Sequence, residues 1–339
     1  MQVGFFFLLC RHWAPQIAEL VLQTKPSFNL KGIAEVQFGN GYKVLILVLI
    51  SVSDISFVVC GAFDSGICGC DLCISWLYPK FLMGNPLLEF TTDYNSRAEF
   101  LWSHGLISVE TYGMLQTVCN YAQIMRETIN GTLSPVCKDV FRQFTQEVSR
   151  FVNAFNIIED VCLPSEFQLV NETPMDDGEK RDVCLEGETS SYMNRGEVRD
   201  AIHAKLVGIT KWTTCSNVLL YNWRNLEDPT ISLLGRLVKS GVRIMVYSGD
   251  QDSLIPVIGT HSLLRGLAKD VGLDTERYRP WFDGPQVAGW TQTYGDNLTF
   301  ATIRGAGHAA PTSQPRRSLR LFKSFIEGKP LPENVTVPF

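Results

Sequence analysis

The sequence predicts an α/β fold in which an incomplete mixed or parallel sheet is flanked by helices and carries a helical insertion. From about residue 210 onward, helical and strand patterns alternate, which is typical of a sheet covered by helices on both faces. Residues 242–247 form one uninterrupted apolar run, as expected for a strand that is buried on both faces. Residues 96–205 show mainly helical patterns and therefore predict a helical cap beside the sheet.

Helices are predicted from apolar spacing and from residues that favour helix ends. Residues 14–23 have the spacing of an amphipathic helix, and Asp93 or Asn95 suits the start of a helix that runs through Trp102. Helical patterns also cover residues 112–126 and 135–155, and Asn194 is suited to cap the helix that follows it. Residues 231–240 predict a helix that stops at Gly241, and residues 318–328 predict a final amphipathic helix.

Further strands are predicted at residues 278–282, 287–293 and 298–303. The polar segments SGDQD and RGAGHAAP follow the strands at 242–247 and 298–303, respectively. Open α/β sheets carry their ligands and catalytic groups at the carboxyl ends of their strands, so these two segments are the first candidates for a functional site.

Composition excludes several classes of protein. The 339 residues are 45% apolar and 11% aromatic, which is ample for a packed core and argues against disorder. The net charge is −5, and basic residues cluster only in short pairs such as Arg316-Arg317. Nucleic acid is therefore not an expected partner.

Ten cysteines and four N-x-S/T sequons together predict passage through the secretory pathway. The apolar run at residues 5–10 is too short for a signal peptide, has no basic region before it and is followed by Arg11 and His12. The sequence therefore predicts a secreted or vacuolar glycoprotein whose chain, as given, carries no signal peptide. The four sequon asparagines are Asn130, Asn171, Asn297 and Asn334.

Residues 35–82 differ in character from the sequence on either side. Residues 44–60 are strongly apolar, but Asp54 and three serines interrupt them, so a membrane span is not expected. Cys68, Cys70 and Cys73 have a C-x-C-x-x-C spacing that Cys60 would complete to four soft metal ligands. Free thiols are the preferred interpretation, because such spacings transfer poorly between families, and neither a metal nor a cofactor is predicted.

Asp252 and His308 stand after two predicted strands and are 56 residues apart. In a Ser-His-Asp triad, the carboxylate fixes the imidazole tautomer and the imidazole takes the proton of the serine. Asp250 competes with Asp252 for that role, and helix capping is the structural alternative for Asp252. A G-x-S-x-G turn, which would present the serine, occurs nowhere in the chain.

Several segments resemble plant serine carboxypeptidase-like proteins. The resemblance covers roughly residues 13–32 and 83–332, and it is carried by APQIAEL, FNLKG, GNPLLEF, TTDYNSRAEFLWSHGLIS, VYSGDQDSLIP, QVAGWTQTYGDNLTFATIRGAGH and PTSQPRRSLRLFKSFIEGKPLP. It implies an α/β-hydrolase fold with a helical cap, with Asp252 as the triad acid and His308 as the base.

The same resemblance indicates two interruptions. The family places a G-E-S-Y-A-G elbow directly before the segment that matches HWAPQIAEL, but this chain holds residues 6–11 there, with Leu8 nearest to the serine position. The resemblance thus implies an N-terminal truncation and an internal insert. The predicted units are residues 1–34 as a remnant of the core, 35–82 as the insert, 83–95 as a core strand and turn, 96–205 as the cap, and 206–339 as the core that carries Asp252 and His308.

The resemblance also implies how the cysteines pair. Cys119 would bond Cys137 and Cys162 would bond Cys184, both around the cap, whereas the partner of Cys215 would lie in a part of the family that this chain lacks.

Three function classes follow from these residues. The first is a serine carboxypeptidase that removes C-terminal residues of peptides through an acyl-enzyme, with a related acyltransferase as its variant. The second is a binding protein that keeps the pocket without the nucleophile, and the third is a membrane-associated fragment held by residues 44–60. Because the nucleophile is absent, we expect this chain to be inactive as a hydrolase; the sequence does not indicate its oligomeric state.

Overall fold

The computed structural model describes residues 28–37, 43–51, 55–60, 80–163, 183–204, 211–213 and 223–333. Eight strands in these ranges form one sheet, in the spatial order β3-β2-β1-β4-β5-β8-β7-β6. The strands are β1 (Phe28–Gln37), β2 (Lys43–Ser51), β3 (Ile55–Cys60), β4 (Lys80–Gly84), β5 (Arg243–Gly249), β6 (Arg279–Asp283), β7 (Gln286–Tyr294) and β8 (Leu298–Ile303).

The sheet is mixed, as predicted. Its centre is parallel, because β4 pairs with β1 on one side and with β5 on the other, and β5 pairs with β8. Both outer parts are antiparallel: β1, β2 and β3 form one side, and β8, β7 and β6 form the other. Parallel neighbours end at the same edge of a sheet, so the segments that follow β4, β5 and β8 emerge side by side.

Alternation along the central strands divides the core into two layers. Phe81 and Met83 of β4 pack on one face with Ile244 and Val246 of β5, whereas Leu82 between them packs on the other. The first face is covered by α7 (Ile231–Lys239) and α8 (Val257–Val271), and the second by α10 (Pro315–Glu327). Both faces are therefore apolar, which explains why the β5 sequence shows no polar alternation.

The cap is a set of short helices with its own apolar cluster. Its chain enters through α1 (Phe90–Ser103), which packs against both α8 and the cap helix α3. The remaining cap helices are α2 (Val109–Thr117), α3 (Tyr121–Ile129), α4 (Pro135–Val148), α5 (Leu185–Met193) and α6 (Gly196–Ala201). A 3-10 turn at Trp223–Leu226 leads back to the sheet, and α9 (Ala310–Ser313) precedes α10.

Several predicted helix ends were wrong because a different side chain satisfies the exposed backbone amides. Glu89, rather than Asp93 or Asn95, caps α1 by accepting hydrogen bonds from the amides of Thr91 (2.8 Å) and Thr92 (2.7 Å). The single helix predicted at 112–126 is two helices, since Asn120 starts a new one by accepting from the Gln123 amide at 2.8 Å.

Two more helix boundaries differ from the prediction. The helix predicted at 135–155 ends at Val148, where Ser149 takes a positive φ of 66°. Asn194 does not cap α6: its amide group bonds the backbone of Trp212 at 2.8 Å and 2.9 Å and the Ser190 carbonyl at 2.7 Å.

Residues 35–82 contribute strands to the sheet where the structure describes them. The apolar run from 44 to 60 includes all of β3 and all of β2 except Lys43, and these two strands pair with each other in antiparallel orientation. The boundary drawn after Leu82 falls inside β4, since residues 80–84 form one strand in register with β5. Across the described ranges, no helix is both long and apolar enough to cross a membrane.

The structure contains the two disulfides that the resemblance implied. Cys119, between α2 and α3, bonds Cys137 in α4, with a Cα–Cα distance of 5.4 Å. Cys162 bonds Cys184, with a Cα–Cα distance of 4.9 Å. Asn130 is exposed at the end of α3, and Asn297 is half-buried before β8. Asn171, Asn334, Cys215, Leu8 and the cysteines at 68, 70 and 73 lie outside the described residues.

Candidate active site

Asp252 and His308 meet at the carboxyl edge of the parallel strands. Asp252 follows β5 by three residues and His308 follows β8 by five, and these two strands are direct neighbours. The Oδ2 atom of Asp252 lies 2.7 Å from the Nδ1 atom of His308. The side chains are buried, with only 0% and 2% of their surface exposed, so water does not compete for this bond.

The Asp252 carboxylate is held by four hydrogen-bond donors. Oδ1 accepts from the backbone amides of Leu254 at 2.8 Å and Ile255 at 3.4 Å. Oδ2 accepts from the side-chain amide of Asn85 at 2.8 Å in addition to His308. A buried carboxylate is tolerated only when such donors satisfy its oxygens, and these four contacts fix its orientation.

The Asp252 contact defines the tautomer of the neutral His308 ring. A carboxylate only accepts hydrogen bonds, so the ring proton lies on Nδ1 and the Nε2 atom has the lone pair that can accept a proton. The backbone amide of His308 donates to the carbonyl of Phe155 at 2.6 Å, and the rings of these two residues lie 5.8 Å apart between centroids. The segment that follows the cap helix α4 therefore supports the His308 ring.

Two glycines allow the two loops to approach each other. A Cβ on Gly249, at the end of β5, would overlap the carbonyl oxygens of Ala306 and Gly307. A Cβ on Gly307 would overlap the carbonyl of Phe155 and the side chain of Asn156. Larger residues at these positions would push the His308 loop away from Asp252, so the glycines of GD and GAGH are required for the pairing.

Asp250, the competing carboxylate, has a different role. Its Oδ1 atom accepts from the Gly305 amide at 2.7 Å and from the Gln251 side chain at 3.1 Å. Burial raises the pKa of the Asp250 carboxyl above its usual value, with the hydrogen bonds from Gln251 and the backbone of Gly305 opposing that change. Asp250 thus fixes the loop that leads to His308, whereas Asp252 contacts the imidazole.

Asn85 is a site residue that the sequence analysis did not identify. It follows β4 at a φ of 45°, is fully buried, and its backbone amide donates to the Tyr247 carbonyl at 2.8 Å. Its side chain joins the end of β4 to Asp252 at the end of β5. The signal was present in the G-N-P turn, because asparagine tolerates a positive φ better than most residues.

A cavity of about 420 Å³ opens beside the imidazole. Its volume falls in the roughly 300–1,000 Å³ range of small-molecule sites. Its walls come from α1, α3 and α4, from the segment after α4 and from the segment after Asp252. The lining residues are Tyr94, Arg97, Tyr121, Met125, Phe141, Phe144, Thr145, Val148, Ser149, Arg150, Val152, Ala154, Phe155, Leu254, Ile255 and His308.

The other described histidines lie away from this site. His261 is stacked against Phe300, with ring centroids 4.7 Å apart, and its Nε2 atom lies 2.8 Å from the Gln292 side-chain oxygen. Burial lowers the pKa of His261, so it is a neutral packing residue at neutral pH. His104 is the C-cap of α1 and contacts the Phe100 carbonyl at 2.7 Å, and His203 follows α6. His12 lies outside the described residues.

In the ranges that the structure describes, no group of three or more His, Cys, Asp or Glu residues is arranged to hold a metal ion.

Comparison with known proteins decides the family. The family model described as "Serine carboxypeptidase" matches residues 80–328, which is most of the chain and includes Asp252 and His308. The chain belongs to the serine carboxypeptidase family. Its mixed sheet flanked by helices is the α/β-hydrolase fold that was predicted.

Plant members of the serine carboxypeptidase family are among the relatives that are similar to this chain. "Serine carboxypeptidase-like 45" of Arabidopsis thaliana is 45% identical over 95% of this chain and 60% of its own length. "Serine carboxypeptidase-like 46" of the same plant is 44% identical, with the same two coverages. "Serine carboxypeptidase II-1" of Hordeum vulgare is 32% identical over 75% of this chain and 76% of its own length. The chain thus spans about 60% of the length of the first two relatives.

A solved structure of Kex1(delta)p, a prohormone-processing carboxypeptidase from Saccharomyces cerevisiae, superposes with a TM-score of 0.49 at 18% identity, covering 74% of this chain and 55% of that one.

Proposed function

We propose that Asp252 and His308 are the acid and base of a serine-type carboxypeptidase mechanism. The observation that carries this proposal is the buried 2.7 Å contact between the Asp252 carboxylate and His308 Nδ1 at the ends of neighbouring parallel strands. In the proposed reaction, His308 takes the proton of a serine hydroxyl as the oxygen attacks the scissile carbonyl. It then returns the proton to the leaving amino acid, and water hydrolyses the acyl-enzyme.

The 339 residues by themselves are proposed to lack this activity. The sequence contains no G-x-S-x-G turn, and Leu8 occupies the position nearest to the family serine. Loss of a triad serine leaves only the small acceleration that oxyanion donors and binding supply. Asp252 and His308 would then form a prepared base without a nucleophile.

Fluorophosphonate labelling separates the two parts of the proposal. The purified chain should not be labelled, and stoichiometric labelling at any serine would overturn the proposed inactivity. A second chain, in which G-E-S-Y-A-G replaces residues 6–11, should react at the introduced serine faster than the same chain with His308→Gln. Equal rates with and without His308 would show that the imidazole does not activate a serine, and the proposed role of the pair would fail.

A carboxypeptidase and an acyltransferase would share the acyl-enzyme and differ in what resolves it. Water as the acceptor gives a free acid, whereas an alcohol acceptor gives an ester. We propose peptide C-termini as substrates because the matched family is one of peptidases. Release of a C-terminal amino acid from a peptide by the elbow-containing chain supports this proposal, and transfer to an alcohol without peptide hydrolysis contradicts it.

Passage through the secretory pathway is proposed on two grounds. The structure contains two disulfides, and such bonds form and persist in oxidising compartments. Asn130 is exposed at the end of α3 within an N-x-T sequon. When the chain is fused behind a plant signal peptide and expressed in plant cells, its mass should fall on enzymatic removal of N-glycans, and the Asn130→Gln variant should lose one glycan. An unglycosylated product of this fusion would contradict the proposal.

A further inference from the structure

Arg97 is a buried cation that the serine, histidine and aspartate chemistry does not use. It lies in the middle of α1 and is only 9% exposed. Its Nη1 atom donates to the hydroxyl of Tyr121, while its Nε atom is buried and has no hydrogen-bond partner. Buried guanidinium groups are normally paired with a carboxylate, so this arrangement requires an explanation.

Aromatic rings provide part of the environment of Arg97. The guanidinium carbon lies 4.7 Å from the ring centre of Tyr121 and 6.0 Å from that of Phe144, within cation–π distance of both. Among the described residues, no carboxylate forms an ion pair with Arg97. The acidic residue one turn earlier, Asp93, accepts instead from the backbone amides of Leu88 at 2.6 Å and Glu89 at 3.0 Å.

The surroundings of Arg97 form one wall of the cavity that reaches His308. Arg97 and Arg150 are the two permanent cations among its lining residues, and no lining residue of this cavity is acidic. The other walls are largely aromatic or aliphatic. A ligand that fits this combination has an apolar body and a carboxylate, because a guanidinium bonds a carboxylate through several N–H donors in a fixed planar geometry.

We propose that this cavity selects substrates with a carboxylate-bearing apolar group and that Arg97 recognises the carboxylate. The carboxylate can come from an acidic side chain near the scissile bond or from the C-terminus of the peptide, and both present the same chemistry to a guanidinium. The inference rests on the proposed function for its substrate class, but binding requires no nucleophile and is measurable on the chain as it stands.

Four blocked dipeptides test the proposal by calorimetric titration of the 339-residue protein. Acetyl-Glu-Phe-amide has only a side-chain carboxylate, and acetyl-Gln-Phe-amide is its neutral match. Acetyl-Phe-Phe with a free C-terminus has only a terminal carboxylate, and acetyl-Phe-Phe-amide is its neutral match. At least one carboxylate peptide should bind about 10-fold to 100-fold more tightly than its match, as expected for a desolvated charge-assisted hydrogen bond. The peptide that shows this preference identifies the source of the carboxylate.

Variants of Arg97 and of an outer arginine complete the test. Arg97→Met should abolish the preference, and Arg97→Lys should retain part of it because the charge remains. Arg142→Met is the matched control, since Arg142 lies on α4 outside the lining, is exposed and pairs with Asp139 at 3.1 Å. Equal affinity for charged and neutral peptides, no binding of any peptide, or a preference that survives in Arg97→Met would each overturn the proposal. None of these results depends on hydrolysis, so the proposed catalytic roles of Asp252 and His308 would be unaffected.

Discussion

Replacing Asn85 by aspartate tests whether Asn85 is needed as a donor to the buried Asp252 carboxylate. The side-chain nitrogen of Asn85 lies 2.8 Å from Asp252 Oδ2, and both residues are fully buried. Asn85→Asp keeps the size of the side chain and its tolerance of the positive φ of 45°, but it replaces the donor by an acceptor with a negative charge. The change therefore isolates the electrostatic contribution of one contact.

The magnitude follows from two effects that act in the same direction. Loss of a hydrogen bond to a charged group costs about 1.5–3 kcal/mol, and repulsion between the two carboxylates adds to this loss. Breaking a buried charged contact typically costs about 3–5 kcal/mol, so we expect the free energy of unfolding to fall by about that amount at pH 7. The typical total stability of a domain is only about 5–15 kcal/mol, so the variant should be close to unfolding.

The effect should depend on pH in a defined direction. In the folded variant, the neighbouring carboxylate raises the pKa of the introduced carboxyl above its value in the unfolded chain. The folded state then binds more protons than the unfolded state between these two pKa values, so stability falls as pH rises through that window. Relative to the original protein, the deficit should be smallest near pH 4 and largest near pH 7.

Urea unfolding followed by tryptophan fluorescence at several pH values provides the measurement. Asn120→Asp is the matched control, because the side-chain oxygen of Asn120 accepts from the Gln123 amide at the start of α3 and this residue is exposed. A carboxylate at that position remains an acceptor and is favoured by the helix dipole, so the control should be neutral or slightly stabilising. A deficit for Asn85→Asp that equals the control, or that does not grow with pH, would refute the electrostatic account of this contact.

Three further predictions concern stability. The double variant Cys119→Ala/Cys137→Ala removes a disulfide whose cysteines are 18 residues apart. Because the unfolded chain then gains conformational entropy, the free energy of unfolding in urea titrations should fall by about 3 kcal/mol. A loss below about 1 kcal/mol would contradict this explanation. Gly249→Ala places a Cβ against two backbone carbonyls and should abolish soluble folded protein. In the control Gly266→Ala on α8, the new Cβ has no atom within 4 Å, so this variant should be neutral or stabilising. Normal folding of Gly249→Ala, judged by circular dichroism, would contradict the close approach of the two loops. Burial, aided by Arg243, lowers the pKa of Lys80 from 10.5 to about 8. The unfolded chain therefore binds more protons between these two pKa values, and the free energy of unfolding relative to Lys80→Met should rise as the pH increases from 8 to 10. A pH-independent difference in unfolding free energy would show that Lys80 keeps its usual pKa.

The central strands and the Asp252–His308 pair were predictable because the signal is local. A strand buried on both faces must be apolar throughout, so β5 was recognised from its own residues. The glycines around Asp252 and His308 marked turns at the carboxyl ends of strands. Once β5 and β8 were taken as parallel neighbours, the meeting of these side chains followed from topology alone.

Helix ends were less predictable because nearby side chains compete for the same backbone amides. Asp93 and Asn95 are of the types preferred at a helix start, and the sequence does not show that Glu89 is used instead. In the structure, Glu89 takes the amides of the first turn, Asp93 takes those before it, and Asn95 accepts from the Ala122 amide of α3 at 2.9 Å. Asn95 is thus used in a contact between α1 and α3, and Glu89 caps α1. No local sequence pattern shows that Asn95 would contact another helix.

The contacts of Asn85 and Arg97 connect residues distant in sequence, which explains why sequence patterns missed them. Asn85 and Asp252 are 167 residues apart, and Arg97 and Tyr121 are joined only because α1 and α3 pack together. Neither residue is unusual in its local sequence: Asn85 follows a strand and Arg97 lies within a helix. The proposed roles of both residues depend on burial. A donor such as Asn85 holds a carboxylate strongly only where water is excluded. An arginine can bind the anion of a ligand only where no carboxylate of the protein is already paired with it. Asp252 and His308 can therefore be recognised from single motifs, whereas the contacts of Asn85 and Arg97 depend on how the sheet and the cap helices pack against each other.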